Sequence, residues 1–266
     1  MTNHIPGAIA TLRPRTGSRP WRRLCTAVPP LLALLAFPHA MAADGAAVVE
    51  LYVSEGCSSC PPAEALAAEL IQQAATTHAR LFYLEFPVDY WDYLGWKDPF
   101  TRPEFAQRQE AWARRLGLKE VGTPQAIVGG TNAILGSDGG AMRAAIATAN
   151  AQSNPVVVTP TAHWSPDDGL HVAVKLSTAP HGALIIIALT ESALSSAIHA
   201  GENNGRTMIH DDVVRAFTEL PVSGDLADVH LAAPANLVRD RSAVTVVVEE
   251  GASYAVLGAE RIQIRN

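Results

Sequence analysis

The chain has 266 residues, a formal charge of −6 and three cysteines. It is long enough to bury a hydrophobic core without disulfide staples, and three cysteines are too few for a disulfide-rich scaffold. The acidic charge argues against nucleic acid or an anionic membrane surface as a partner.

The first 42 residues have the pattern of a secretory signal peptide. Five arginines precede an apolar run from Leu24 to Phe37, and Ala40-Met41-Ala42 supplies the small residues of a cleavage site. The apolar run is too short to span a membrane, although an uncleaved signal anchor is an alternative. Cleavage near Ala42 would remove Cys25 and all five arginines, leaving a formal charge of about −11. We therefore expect a periplasmic or secreted protein that leaves the membrane after signal cleavage and carries two cysteines into an oxidising compartment.

The rest of the chain divides into two predicted regions joined by residues 151–155. Residues 43–150 alternate strand-like and helix-like runs in the order β-α-β-α-β-β-α, which is the order of the thioredoxin fold. Residues 156–266 contain short β-branched runs separated by turn residues, a pattern typical of an antiparallel β-sandwich. We predict an α/β fold in which a thioredoxin-like N-terminal domain is followed by an all-β, sandwich-like C-terminal domain.

The most informative motif is Cys57-Ser58-Ser59-Cys60. It follows an apolar strand-like run, residues 48–53, and precedes two prolines and a series of strong helix formers. A strand that leads into C-x-x-C, with the second cysteine opening a helix, is the layout of a thioredoxin-type redox site. The positive end of the helix dipole favours a thiolate at Cys57, and the thiolate is the nucleophile. The chain has no second cysteine pair, which argues against zinc, whereas a structural disulfide is the alternative.

Thr123-Pro124 is the second part of the predicted site. Pro124 opens the third predicted strand, where a thioredoxin-like site places a cis proline beside its disulfide. Cis X–Pro bonds are uncommon in folded proteins and usually have a structural purpose. We predict a cis bond here; an ordinary trans turn proline is the alternative.

Glu50 is the third candidate, because it is the one carboxylate in the apolar strand that leads to Cys57. A buried carboxylate has a raised pKa and can transfer protons. We predict that Glu50 is a catalytic group that exchanges a proton with Cys60. A solvent-facing Glu50 on an edge strand is the alternative.

The segment 88–100 is unusually aromatic, with two Trp and two Tyr among three Asp. Aromatic side chains with polar tips are typical of recognition surfaces, which predicts Trp91 and Tyr93 as substrate-binding residues. A packed loop that caps the core is the alternative. The aspartates lack calcium-loop spacing and the histidines are scattered, so we predict no metal site and no cofactor.

Four segments together resemble a family of exported bacterial proteins that carries only the label domain of unknown function 1223: residues 50–64, 88–100, 123–125 and 201–206. The resemblance implies a thioredoxin-like N-terminal half. By likeness to thioredoxin-fold oxidoreductases, Cys57 would be the attacking cysteine, Cys60 the resolving cysteine and Pro124 the cis proline. Thr123 would meet the substrate backbone. The chain departs from those enzymes in having Gly56 rather than Trp before Cys57, and Ser-Ser between the cysteines.

These features predict an exported thiol–disulfide oxidoreductase that acts on protein thiols or disulfides in the cell envelope. One alternative is a non-catalytic periplasmic binding protein with a structural disulfide. Another is a carrier of Cu(I), a soft ion that thiolates bind well.

Overall fold

The computed structural model describes residues 45–166 and 169–264. The predicted signal peptide, residues 1–42, and Cys25 lie outside the described residues. Within the described part of the chain, no helix is both long enough and apolar enough to cross a membrane.

The first region contains the seven elements that the sequence predicts, in the predicted order. Helix α1 begins at two prolines, which lose no hydrogen bond in a first turn, and ends where His78 adopts the left-handed conformation. A 3₁₀ turn, Asp92–Leu94, lies between β2 and α2. The elements are β1 (Ala47–Val53), α1 (Pro61–Thr77), β2 (Leu81–Pro87), α2 (Pro103–Leu116), β3 (Gln125–Val128), β4 (Asn132–Leu135) and α3 (Gly139–Asn150).

Beyond α3, the described chain is built from strands and one short 3₁₀ turn, Arg239–Arg241. The strands are β5 (Val158–Trp164), β6 (Leu170–Leu176), β7 (Leu184–Glu191), β8 (Leu194–Ala197), β9 (Thr207–His210), β10 (Val213–Pro221), β11 (Leu226–Leu231), β12 (Ser242–Glu249) and β13 (Val256–Gln263).

One sheet of eight strands runs through both regions, in the order β13-β12-β7-β10-β2-β1-β3-β4. Its two halves meet where β10 pairs in parallel with β2, at Val213 and Glu85. The sequence predicts that these halves are separate domains, residues 43–150 and 156–266. The structure instead joins their strands in one sheet, and the described residues belong to one compact unit.

A second sheet, with the order β11-β6-β5, packs against the C-terminal half of the large sheet. The buried layer between them contains Val172 and Val174 from the small sheet, and Ile185, Ile187 and Val246 from the large one. These residues recur at every second position, as expected when one face of each strand is buried. The two strands that belong to neither sheet, β8 and β9, form a separate hairpin-like pair.

Glu50 and Arg108 form a buried ion pair that holds α2 against the sheet. Arg108 Nη2 lies 2.5 Å from Glu50 Oε1, and Arg108 Nε donates to Oε2 at 2.9 Å. Tyr52 Oη and Trp112 Nε1 also donate to Glu50 Oε2, at 2.7 and 2.8 Å. Two further carboxylates, Glu219 and Glu249, lie 2.8 and 3.5 Å from the Arg108 guanidinium.

The prediction that Glu50 exchanges a proton with Cys60 is wrong. Burial by itself raises the pKa of Glu50, but the charge and hydrogen bonds of Arg108 outweigh it and hold the pKa below its ordinary value. The side chain also lies on the α2 face of β1 with Tyr52, whereas the cysteines pack with Leu51 and Val53 on the opposite face. Glu50 is therefore an ionised structural group.

We expect Glu50→Gln to lower the free energy of unfolding by about 3 to 5 kcal/mol, because it leaves the buried guanidinium short of its principal counter-charge. Urea denaturation measures this change. Glu69→Gln is the control, since Glu69 forms a half-exposed ion pair with Arg143 and should contribute about 1 kcal/mol or less. Equal, small effects of both substitutions would contradict the structural role of Glu50.

Candidate functional site

The Cys57–Cys60 turn connects the end of β1 to the start of α1. Cys60 is the N-cap of the helix, and its carbonyl accepts the N–H of Ala63 at 2.8 Å. Pro61 and Pro62 carry no N–H, so the first helical positions offer no backbone donor to an anion. Donors to the Cys57 sulfur must therefore come mainly from within the turn itself.

The two sulfur atoms lie 2.7 Å apart as thiols, and both residues are buried, at 0% exposure. The Cys60 thiol donates a hydrogen bond to the Cys57 sulfur, and Ser59 Oγ lies 3.2 Å from the same sulfur. These hydrogen bonds lower the pKa of Cys57 to about 6, and the bond from Cys60 has the largest effect. Burial acts in the opposite direction and raises the pKa. Burial and the neighbouring Cys57 raise the pKa of Cys60 far above its ordinary value. At neutral pH, the pair is a thiolate on Cys57 and a thiol on Cys60.

Thr123 and Pro124 lie directly beside this pair, and their peptide bond is cis, as predicted. The Thr123 carbonyl oxygen is 3.7 Å from Cys57 Sγ and 3.4 Å from Ser59 Oγ. The structure therefore brings together two segments that are far apart in the sequence, Cys57–Cys60 and Thr123-Pro124.

The aromatic segment contributes Trp91 to the same place. Trp91 Nε1 donates to Thr123 Oγ1 at 2.8 Å, and its ring packs against the hydrophobic cluster that contains the cysteines. Tyr93 stacks on Trp91 with 6.5 Å between ring centroids and is 78% exposed. Trp91 thus supports Thr123 from within, and Tyr93 presents an aromatic surface to solvent.

A surface groove of about 410 Å³ begins at Thr123 and Pro124. Gln125, Ile134 and Leu135 continue its lining along β3 and β4. Since β4 is the last strand of the sheet, this groove runs beside a sheet edge whose backbone groups can pair with an extended peptide.

A loop from the distant C-terminal region, residues 201–206, covers the Cys57 turn. Asn203 is buried, and its Nδ2 donates to the carbonyls of Glu55 and Cys57 at 2.9 and 2.8 Å. Glu202 Oε2 accepts the N–H of Ser58 at 2.9 Å. These three hydrogen bonds hold the loop on the turn through backbone atoms of Glu55, Cys57 and Ser58.

Two glycines lie where the covering loop meets the Cys57 turn. Gly201 has φ 73°, a left-handed conformation that favours glycine. At Gly56 a Cβ would meet the Cβ of Trp91 at 3.0 Å, which is too close without movement. The glycine before Cys57 therefore makes room for Trp91 from another segment.

The sequence predicts no role for residues 201–206 beyond their part in the family resemblance. Asn203 and Glu202 contact residues about 145 positions earlier, and no local pattern encodes such a contact. A buried group of acidic side chains around His210 was also not predicted from the sequence. The sequence does contain an indication of this acidic group. Glu55 and Glu64 flank the cysteine motif, and Glu85 interrupts the apolar strand β2.

We expect Asn203→Ala to increase the rate at which iodoacetamide alkylates Cys57 by about tenfold, because two hydrogen bonds that close the cover are lost. Mass spectrometry of the reduced protein locates the modified cysteine. Asn204→Ala is the matched control, because Asn204 lies on the same loop and is exposed. If both variants react at the rate of the unsubstituted protein, residues 201–206 do not control access to Cys57.

Comparison with known proteins places this geometry in a family. A crystal structure of a protein from Agrobacterium tumefaciens, determined by a structural genomics consortium, is similar with a TM-score of 0.59 and 26% identity. The match covers 81% of this chain and 93% of that one. A domain of the outer membrane lipoprotein Omp28 from Porphyromonas gingivalis matches with a TM-score of 0.26 and 10% identity, over 42% of this chain and 88% of that one. That similarity is too low to support an argument.

No curated protein matches the chain. A family model does match, over residues 48–249, which include the cysteine turn, Thr123-Pro124 and the covering loop. The chain belongs to the family described as Protein of unknown function (DUF1223).

Proposed function

We propose that this protein is an exported thiol–disulfide oxidoreductase whose reactive pair is Cys57 and Cys60. The observation that carries the proposal is the asymmetry of the pair. Hydrogen bonds lower the pKa of Cys57 to about 6, while the pKa of Cys60 is strongly raised. An attacking thiolate beside a protonated resolving thiol is the arrangement that disulfide exchange requires.

The arrangement of the first region supports a thioredoxin-like fold. Strand β1 pairs in parallel with β2 and antiparallel with β3, which in turn pairs antiparallel with β4. Together with the order β-α-β-α-β-β-α, this gives a four-stranded unit with the cysteines at the carboxyl end of β1. In this proposal, the C-terminal strands form a sandwich-like extension that shares the large sheet.

The reaction is an exchange of two electrons between dithiol and disulfide. The Cys57 thiolate attacks one sulfur of a substrate disulfide, forms a mixed disulfide and releases the other substrate sulfur as a thiolate. Cys60 then loses its proton and attacks Cys57, which forms the Cys57–Cys60 disulfide and releases the second substrate thiol. The reverse sequence oxidises a substrate dithiol.

The first step also prepares the second. The negative charge on Cys57 and its hydrogen bond contribute, after burial, to the raised pKa of Cys60. Both contributions disappear when Cys57 enters a mixed disulfide. Cys60 therefore becomes more acidic at the stage at which it must act as a nucleophile.

The substrate in this proposal is an extended segment of another protein. The groove beside Thr123 and Pro124 leads to the exposed edge of β4, and Leu135 on that strand is 60% exposed. Main-chain pairing at a sheet edge binds a peptide without demanding a particular sequence. Because Cys57 is buried and residues 201–206 are held on its turn, substrate binding in this proposal displaces that loop.

The proposed location is the cell envelope, on the strength of the signal-peptide pattern in residues 1–42. There the acidic, exported chain would meet protein thiols and disulfides. An envelope location also accounts for a cysteine pair that is kept for redox chemistry in a chain with no other cysteine after cleavage.

We expect Cys60→Ser to accumulate mixed disulfides with envelope proteins, because the trapped Cys57 adduct cannot be resolved. Cys57→Ser should accumulate none, and it is the matched control because it retains one thiol of the pair. Non-reducing electrophoresis after acid quenching measures the adducts. Adducts on Cys60 alone, or on neither cysteine, would contradict the assigned roles.

The reduction potential of the pair separates exchange from a structural bridge. Equilibration of the purified protein in glutathione buffers should give a value above about −300 mV, which is the range of exchangeable disulfides. A lower value would support a structural disulfide instead.

A further inference from the structure

A buried cluster of acidic side chains surrounds His210, on the opposite side of β2 from the Glu50–Arg108 pair. His210 Nδ1 lies 2.8 Å from Glu85 Oε1 and 3.9 Å from Glu64 Oε1. His210 Nε2 lies 3.2 Å from Glu55 Oε1. The side chains of these four residues are between 0 and 7% exposed.

The cluster contains more carboxyl groups than the cations among the described residues neutralise. Asp98, also buried, accepts the N–H of Glu55 at 3.0 Å and adds a fourth carboxylate. In the described part of the chain, His210 is the cationic partner of Glu55, Glu64 and Glu85, and no lysine or arginine forms an ion pair with them. Burying several carboxylates against one imidazole is costly unless protons or a bound cation compensate their charge.

Two buried polar atoms at this place lack a hydrogen-bond partner among the described residues. One is Glu64 Oε1, which points toward His210 from a side chain that is only 7% exposed. The other is Tyr83 Oη, two residues before Glu85 on the same face of β2. Buried polar groups are almost always hydrogen-bonded, so an orphaned carboxylate oxygen marks a site at which a ligand is expected.

The surroundings of His210 match those of a metal ligand. A histidine that binds a metal through one ring nitrogen usually donates its other N–H to a carboxylate, which fixes the ring. Glu55 is in that position at Nε2, and the second oxygen of Glu55 is itself held by Trp96 Nε1 at 2.6 Å. Nδ1 then faces Glu64 and Glu85.

We infer that Glu64, Glu85 and His210 bind a divalent first-row transition-metal ion, such as zinc. One ligand atom from each residue lies within 4.8 Å of the other two. Ligand atoms around tetrahedral zinc are separated by about 3.3 Å, a spacing that follows from bonds of about 2.0 Å. The observed 2.8 and 3.9 Å from His210 Nδ1 lie on either side of that spacing, and the Glu64 and Glu85 oxygens lie within 4.8 Å of each other. Side-chain rotations that bring all three atoms to this spacing would complete the triad. One imidazole and two carboxylates are a donor set that suits zinc and manganese.

Zinc itself is the probe, and it is tested on the Cys57→Ser/Cys60→Ser protein so that the thiols cannot bind it. Zinc is supplied during refolding, because the ligands are buried, and excess ion is removed by gel filtration. We expect one zinc ion per chain and a thermal midpoint that rises with free zinc, because the ion binds the folded state. Glu64→Gln should lower the zinc affinity at least tenfold, and His210→Gln should do the same.

Glu69→Gln and His181→Ala are the matched controls, since both residues are exposed and Glu69 lies on the same helix as Glu64. Cobalt(II) gives a second measurement that needs no ligand variant. Its visible spectrum should show bands of nitrogen and oxygen ligands without thiolate charge transfer. The proposal is overturned if the double-serine protein binds neither zinc nor manganese, or if Glu64→Gln binds zinc as tightly as Glu69→Gln.

Discussion

The pairing of β10 with β2 is the constraint on which the rest of the structure depends. It joins the C-terminal strands to the sheet that carries the cysteine turn, at Glu85 and Val213. The chain just before β10 therefore passes over the carboxyl ends of β1 and β2. As a result His210 lies against Glu85, and residues 201–206 lie on Cys57. Both the cover and the acidic cluster exist because the two regions share one sheet.

Buried carboxylates on the two faces of this sheet differ in their hydrogen-bond and ion-pair partners. On the α2 face, Glu50 receives two bonds from Arg108 and one each from Tyr52 and Trp112, so the ionised form is fully satisfied. On the α1 face, Glu64 and Glu85 share one imidazole, and one oxygen of Glu64 has no partner among the described residues. The first group contributes to stability, whereas in the second, burial raises the pKa of Glu64 to about 9 and that of Glu85 above its ordinary value. Functional sites are the usual places for such shifted pKa values.

The cysteine pair combines an activated thiolate with restricted access. Prolines at the helix start remove backbone donors, so the Cys60 thiol and the Ser59 hydroxyl stabilise the charge on Cys57. The covering loop is attached through polar contacts, among them the bond from Ser58 to the exposed Glu202. Polar attachments of this kind can open without exposing a hydrophobic core. In the proposed function, this pair would react with partners that displace the loop.

Local features of this protein follow from its sequence alone. The sequence predicts β1, α1 and the cysteine turn correctly, because hydrophobic period, prolines and helix formers act over a few residues. The order of elements and the likeness to thioredoxin-fold oxidoreductases also predict that Thr123-Pro124 lies beside the cysteines, and the Thr123 carbonyl lies 3.7 Å from Cys57 Sγ. The other surroundings of the cysteines depend on tertiary contacts. Glu50 met Arg108 58 positions away, and Asn203 met Cys57 146 positions away. Whether a buried carboxylate is ionised, protonated or ready for a metal depends on such partners, and a strand pattern does not contain them.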